Sequence, residues 1–142
     1  MILPQRLGRR TFLLGAAGVA ASLVWRSVGS WPFLGASPSR SERLAGFLKY
    51  EESARSFGRE YLRQVPAEAS PRVLMVRVAE RLPGGLGAVD TASDGRLREL
   101  LLRATAEDFR DLQTVKLRGW VLARTEARLC ALAALDGGSA PA

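Results

Sequence analysis

The chain has 142 residues, with one cysteine, no histidine and a formal net charge of +7. Four of its 21 basic residues precede residue 36, so 17 basic and 14 acidic residues follow, and the remaining +3 does not indicate a nucleic-acid partner. Zinc, haem and iron–sulfur sites need clustered thiolates or imidazoles, and one cysteine excludes an intrachain disulfide. We therefore expect one small domain with no metal or cofactor site.

The beginning of the chain has the pattern of an export signal. An uncharged run, Phe12 to Trp25, follows arginines and no acidic residue. As a helix this run spans roughly 21 Å, which is too short for a ~30 Å hydrocarbon core. Arg9-Arg10-Thr11-Phe12-Leu13 resembles the twin-arginine consensus, in which Phe-Leu follows an arginine pair after one residue. We predict that Arg9, Arg10, Phe12 and Leu13 form the signal and that the twin-arginine translocase is the partner during export.

Two other interpretations of this segment are a general secretory signal and an ordinary amphipathic or buried helix. Whether and where the signal is cleaved is also left open, because the two candidate cleavage sites, Val28-Gly29-Ser30 and Leu34-Gly35-Ala36, are both imperfect. If it is not cleaved, the segment contacts the membrane as an anchor. The predicted location is therefore the periplasm, free or membrane-anchored. Residues 1–36 are the signal or anchor plus linker, 37–136 a small helical domain, and 137–142 a disordered tail.

The first predicted helix of the domain runs from Ser41 to Gln64 and ends before Pro66. Apolar residues recur every three or four positions and form one stripe: Phe47, Tyr50, Ala54, Phe57, Tyr61 and Val65. A row of arginines lies on the opposite side: Arg55, Arg59 and Arg63. Such a row is typical of a solvated helix face, and the alternative is a surface that binds anions.

Two more helices are predicted in the middle of the chain. Ser70-Pro71 is a helix-start signal, so a helix should cover Arg72 to Leu82, although its β-branched residues also fit a strand. Glycines and short polar residues in 83–95 favour a mobile surface loop, and a helix should follow from Gly95 to Arg110. Glu107 and Asp108 point about 100° apart on that helix, so they would not act on one substrate atom. No catalytic residue is predicted.

The end of the chain combines a hairpin with an apolar helix. Val115 and Leu117 alternate with charged residues, and Arg118-Gly119 suggests a turn within a short β-hairpin near residues 114–122. The last helix begins near Thr125 and is apolar on every side from residue 129 to 135, so either other helices cover it or it docks on another protein. The predicted docking residues are Trp120, Leu129, Cys130, Leu132 and Ala134. Cys130 itself is expected to be a small buried apolar residue.

The fold class expected from these elements is mainly α: about four helices in a small bundle, preceded by the signal or anchor helix. Two sequence blocks, residues 51–62 and 119–132, resemble uncharacterised small bacterial proteins with twin-arginine signals. More distantly, the layout is similar to the small subunits of membrane-associated flavoprotein dehydrogenases of the sorbitol, gluconate and glucose type. Those subunits carry the signal on behalf of a catalytic partner that lacks one, so the resemblance implies an escorting role.

Three functional hypotheses follow from the sequence. The favoured one is a non-catalytic exported accessory subunit that escorts or stabilises a larger redox enzyme. The second is a stand-alone periplasmic or membrane-anchored domain that binds an unidentified ligand or has a structural role. The third is an enzyme, which would require a cleft with shifted titratable groups that the sequence does not indicate.

Overall fold

A computed structural model describes residues 39–137. Within this range the chain is mainly helical, with six α-helices and one two-stranded sheet. The elements are α1 Arg40–Ala45, α2 Glu51–Gln64, α3 Pro71–Ala79, α4 Gly85–Thr91, α5 Asp94–Arg110, β1 Thr114–Leu117, β2 Trp120–Ala123 and α6 Arg124–Asp136. The mainly α class and the hairpin are confirmed, whereas about four helices were expected. The predicted signal residues Arg9, Arg10, Phe12 and Leu13 and the tail after Gly137 lie outside the described residues.

The predicted helix from Ser41 to Gln64 is wrong in one respect, because it is two helices. Ser39 caps α1 in a capping box with Glu42, and residues 46–50 separate α1 from α2. In one continuous helix Leu48 would lie on the polar side. The break instead lets Leu48 enter the core, where its side chain is buried. The hydrophobic effect thus favours the interruption between α1 and α2, because the break allows the Leu48 side chain to be buried.

The second correction concerns residues 83–95, where a loop was expected and α4 forms. Val89 is fully buried at the centre of this short helix, so the segment contributes to the core. The guanidinium group of Arg43 donates hydrogen bonds to the carbonyl oxygens of Val89 and Ala92. These contacts satisfy carbonyl groups at the end of α4 that have no partner within the helix, and they join α1 to α4.

The helix predicted after Ser70-Pro71 is confirmed as α3, and the alternative strand is not formed. Leu74 and Val78, four residues apart, are fully buried on its inner face. Of the three valines of α3, Val78 is buried, Val73 is partly buried and Val76 is exposed, and the helix packs against α6.

The strands β1 and β2 pair antiparallel, with Leu117 opposite Trp120. Arg118 and Gly119 connect them, and both have positive φ angles, 49° and 84°. Two positive φ angles in a two-residue connection are typical of a type I′ turn, whose twist matches that of the paired strands. An arginine at the first of these positions is unusual, since glycine, asparagine and aspartate are preferred there.

Helix α6 is the centre of the fold. Nine consecutive residues, Thr125 to Ala133, are buried. The surrounding elements are α1, α2, α3, α5 and both strands. The sequence left two possibilities for the last helix: cover by other helices of the same chain, or docking on another protein. Within the described residues, α6 is covered by the chain's own elements.

Candidate functional site

The five predicted docking residues lie in two different environments. Leu129, Cys130 and Leu132 are 0% exposed, because α6 is surrounded by the other elements. In the folded chain these three side chains face neighbouring helices and are core residues. Trp120 and Ala134 are partly exposed, so a partner could reach only these two of the five without the domain opening.

Cys130 has the environment of a structural thiol. Burial raises the pKa of the thiol, and the nearby charge of Glu126 raises this pKa further. Both effects keep the sulfur protonated at neutral pH, and a protonated thiol is a poor nucleophile. The expected burial of Cys130 is therefore confirmed.

A charged groove of about 800 Å³ lies between α2 and the hairpin turn. We call it the arginine groove, and it is lined by Ser56, Arg59, Glu60, Arg63 and Arg118. The four α2 residues are spaced i, i+3, i+4 and i+7, so they share the helix face turned away from the core. The fifth residue, Arg118, comes from the turn between β1 and β2.

Polar contacts hold part of the arginine groove in place. Arg118 donates a hydrogen bond to the hydroxyl of Ser56, and Arg63 donates one to Glu60. Gln64 also donates from Nε2 to Oε1 of Glu60, at 2.8 Å. The pKa of Glu60 is lowered, first by the Gln64 hydrogen bond and then by Arg63 and Arg118. The one carboxylate of the groove is thus ionised and surrounded by donors.

Arg59 differs from its neighbours in this groove. It is exposed, and within residues 39–137 no hydrogen bond or ion pair engages its guanidinium group. Arg55, the third member of the predicted row, pairs with Glu51 four residues earlier. The row therefore divides: Arg55 is engaged within α2, whereas Arg59 and Arg63 line the groove.

A second polar cluster joins α6 to the turn that follows α2. Arg128 donates to both carboxylate oxygens of Glu68, at 2.9 Å from Nε and 2.7 Å from Nη2. The hydroxyl of Tyr61 donates to the same carboxylate at 2.6 Å. The Arg128 hydrogen bond is the main cause that lowers the pKa of Glu68, while burial and the Glu68 contact raise the pKa of Tyr61 to about 12. The side chains of Arg128, Glu68 and Tyr61 thus satisfy one another's hydrogen-bonding groups, and the cluster stabilises the packing of α6 against the turn after α2.

A third polar cluster lies at the start of α6. The backbone N–H of Thr125 donates to Oδ2 of Asp108 at 2.7 Å, and Arg81 Nη2 lies 2.9 Å from Oδ1. The carboxylate of Asp108, which is buried and belongs to α5, therefore caps the N-terminus of α6. The sequence drew attention to Asp108 only as a neighbour of Glu107, and Glu107 has no part in these contacts.

The sequence could identify some of these groups but not their grouping. Arg59 and Arg63 are found from their helical spacing, whereas nothing local indicates that Arg118 joins them. The pairing of Glu68 with Arg128 spans 60 residues of chain and has no sequence signature. Among residues 39–137 no group of three histidine, cysteine, aspartate or glutamate residues is placed to hold a metal ion. No helix in that range has the length and apolar character needed to span a membrane.

Comparisons with known proteins do not add a functional assignment. No protein-family model matches this chain, and no curated protein or solved structure is significantly similar to it.

Proposed function

We propose that this chain is a non-catalytic exported accessory subunit that escorts or stabilises a larger redox enzyme, a flavoprotein dehydrogenase by the resemblance described above. The observation that carries the proposal is the arginine pair at residues 9 and 10 followed by Phe12-Leu13. The twin-arginine route transports folded proteins, often together with a bound partner. A small domain without cofactor ligands of its own would use this route if it carries a folded, cofactor-containing partner with it.

The use of the buried charges supports a non-catalytic role. Glu68 and Arg128 neutralise each other, and Asp108 caps a helix. Each joins two elements of the fold, which is a structural use of a buried ionisable group.

A stand-alone exported domain is the second candidate, and one observation favours it. Because the chain's own helices cover α6, the described residues leave no apolar helix that needs a partner. Any docking surface must therefore lie outside the buried residues 125–133 of α6, so the apolar character of this helix no longer supports the accessory hypothesis.

The proposal is tested by isolating the full chain, tagged at its C-terminus, from the periplasm and membranes of its native host. We expect a complex of fixed stoichiometry with a larger protein that has flavin absorbance. A monodisperse monomer would contradict the accessory role and favour the stand-alone domain.

Export itself is tested separately. Changing Arg9 and Arg10 together to lysine should leave the protein in the cytoplasm, as measured by cell fractionation. A double-lysine variant of two other arginines, Arg72 and Arg103, is the control and should be exported normally. Unchanged export of the first variant would show that the pair is not a twin-arginine signal.

A further inference from the structure

The arginine groove presents an excess of positive charge that the fold does not use. Three guanidinium groups line it and one carboxylate opposes them, giving the lining a net charge of +2. Arg63 is 77% exposed and Arg59 has no partner within the described residues. A guanidinium group has five N–H donors, so even the two arginines that make an internal contact keep most of their donors available.

The position of Arg118 is a separate observation that points to the same groove. Its φ of 49° is in the left-handed region, where a residue with a β-carbon is strained by roughly 1–2 kcal/mol relative to glycine. The side chain is nevertheless held over α2 by its hydrogen bond to Ser56. Residues held in sparsely populated backbone conformations cluster at active sites and ligand clamps.

From the charge, shape and exposure of this surface, we propose that the arginine groove docks an acidic segment, rich in aspartate and glutamate, of the larger partner subunit. Guanidinium groups bind carboxylates through paired hydrogen bonds. Arg59 and Arg63 are separated by one helical turn, about 6 Å along α2, so they can engage successive carboxylates of one segment. The inference rests on the proposed accessory function, to which it adds the chemistry of the partner.

The groove fits a protein segment better than a free phosphate ion. A site for a small anion encloses it with buried donors, whereas Arg59, Arg63 and Arg118 are all exposed around a space of about 800 Å³. Glu60 also lies within the groove and pairs with Arg63. An incoming carboxylate would compete with Glu60 for that arginine, so Glu60 weakens the binding of an acidic ligand.

The test measures binding of a fluorescent oligoglutamate peptide of about ten residues to the full chain by anisotropy at an ionic strength of about 0.15 M, where exposed charges more than about 8 Å apart are largely screened. Reversing all three charges, in R59E/R63E/R118E, should weaken binding at least about tenfold. The matched control R72E/R96E/R103E changes net charge by the same amount at exposed positions outside the groove, and it should change binding less than about twofold. The variant E60Q should tighten binding about threefold, because Arg63 is released from its internal pair.

Several results would overturn the inference. One is equal weakening by both triple variants, since the binding would then depend on net charge alone. Another is an unchanged or weaker affinity of E60Q. A third is a groove that binds inorganic phosphate, or phosphatidylglycerol vesicles, but not the peptide. Thermal melts of every variant check that the fold is kept.

The inference and the proposed function can fail separately. If the larger subunit co-purifies equally well with R59E/R63E/R118E, the accessory function stands and the groove is not its docking site. If the peptide binds in the groove but the native chain is a monomer, the groove binds acidic segments and the accessory function is wrong.

Discussion

Gly58 determines how closely two helices approach each other. It lies in α2 against the backbone of α6, and a β-carbon built at this position would be 2.0 Å from the carbonyl oxygen of Cys130. The obstructing atoms belong to the backbone of a central helix, so they cannot rotate away as a side chain would. The distance between α2 and α6 thus depends on one missing side chain.

We predict that Gly58→Ala lowers the free energy of unfolding by about 3 kcal/mol, because the two helices must separate to accept the methyl group. Chemical denaturation monitored by circular dichroism measures the change. Gly95→Ala in α5 is the control, since a β-carbon there meets no atom within 4 Å. It should leave stability unchanged or raise it by up to about 1 kcal/mol. A tolerated Gly58→Ala would mean that the helices are not packed this closely.

At the scale of elements, buried charges join one helix to the next. Asp108 of α5 accepts the hydrogen bond from Thr125 at the start of α6, where the helix has no side-chain cap of its own. The helix was predicted to begin near Thr125, and it begins one residue earlier, at Arg124, so Thr125 lies inside it. A cap supplied from another element stabilises both the helix and its orientation.

Asp108→Asn should lower the free energy of unfolding by about 2 kcal/mol, because it weakens the cap and leaves Arg81 beside a neutral group. Asp111→Asn is the matched control. Asp111 is also near Arg81, at 3.6 Å, but its side chain is half-exposed, so the loss should be below about 0.5 kcal/mol. Equal losses from the two substitutions, measured by urea unfolding, would contradict the capping role.

The ion pair between Glu68 and Arg128 should make stability depend on pH. The folded pKa of Glu68 is below its ordinary value of 4.5, so the stabilisation is present above that value and is lost as pH falls through the folded pKa. Glu68→Gln should therefore cost about 3 kcal/mol at neutral pH, where it leaves Arg128 largely buried without a counter-charge. The difference from the wild-type chain should shrink below about pH 4.

Unfolding measured at several pH values checks this prediction. Glu80→Gln is the control, because Glu80 pairs with Arg77 on the surface, where both side chains are about half-exposed. Its effect should stay below about 0.5 kcal/mol at every pH. A constant difference between Glu68→Gln and wild type down to acidic pH would exclude a role for Glu68 ionisation.

At the scale of the whole molecule, α6 is buried by the elements around it, and Cys130 lies at its middle. The thiol can be reached only when those elements separate from α6. Its reactivity therefore reports the opening of the core as a whole, rather than the motion of a single loop.

We expect Cys130 of the native protein to react with a thiol reagent at neutral pH far more slowly than a free thiol, because it is fully buried and its pKa is raised. The reaction should reach the rate of free cysteine once denaturant unfolds the chain. Ser53→Cys, on the exposed side of α2, supplies a positive control that reacts at once. Fast labelling of Cys130 in the native protein would show that α6 is accessible after all.

The sequence predicted the elements that follow from local rules. Periodicity and start signals found α3, α5 and α6, and alternation with Arg118-Gly119 found the hairpin. The prediction from periodicity was wrong in two places where burial in the tertiary structure outweighed the local pattern. One is the interruption between α1 and α2, which buries Leu48, and the other is the short helix α4, which buries Val89. Neither is visible locally, because in each case the stabilising contact comes from elsewhere in the chain.

Composition and local pattern alone were sufficient to predict a small, mainly helical domain that follows a twin-arginine pattern. They also predicted a last helix that must be covered on every side. Only the tertiary structure decided what covers that helix, and it assigned Leu129, Cys130 and Leu132 to the core. It also brought Arg118 beside Arg59 and Arg63, and Glu68 to Arg128. The physical reason is that periodicity shows which face of a helix is buried, whereas the identity of its neighbours depends on how distant segments pack.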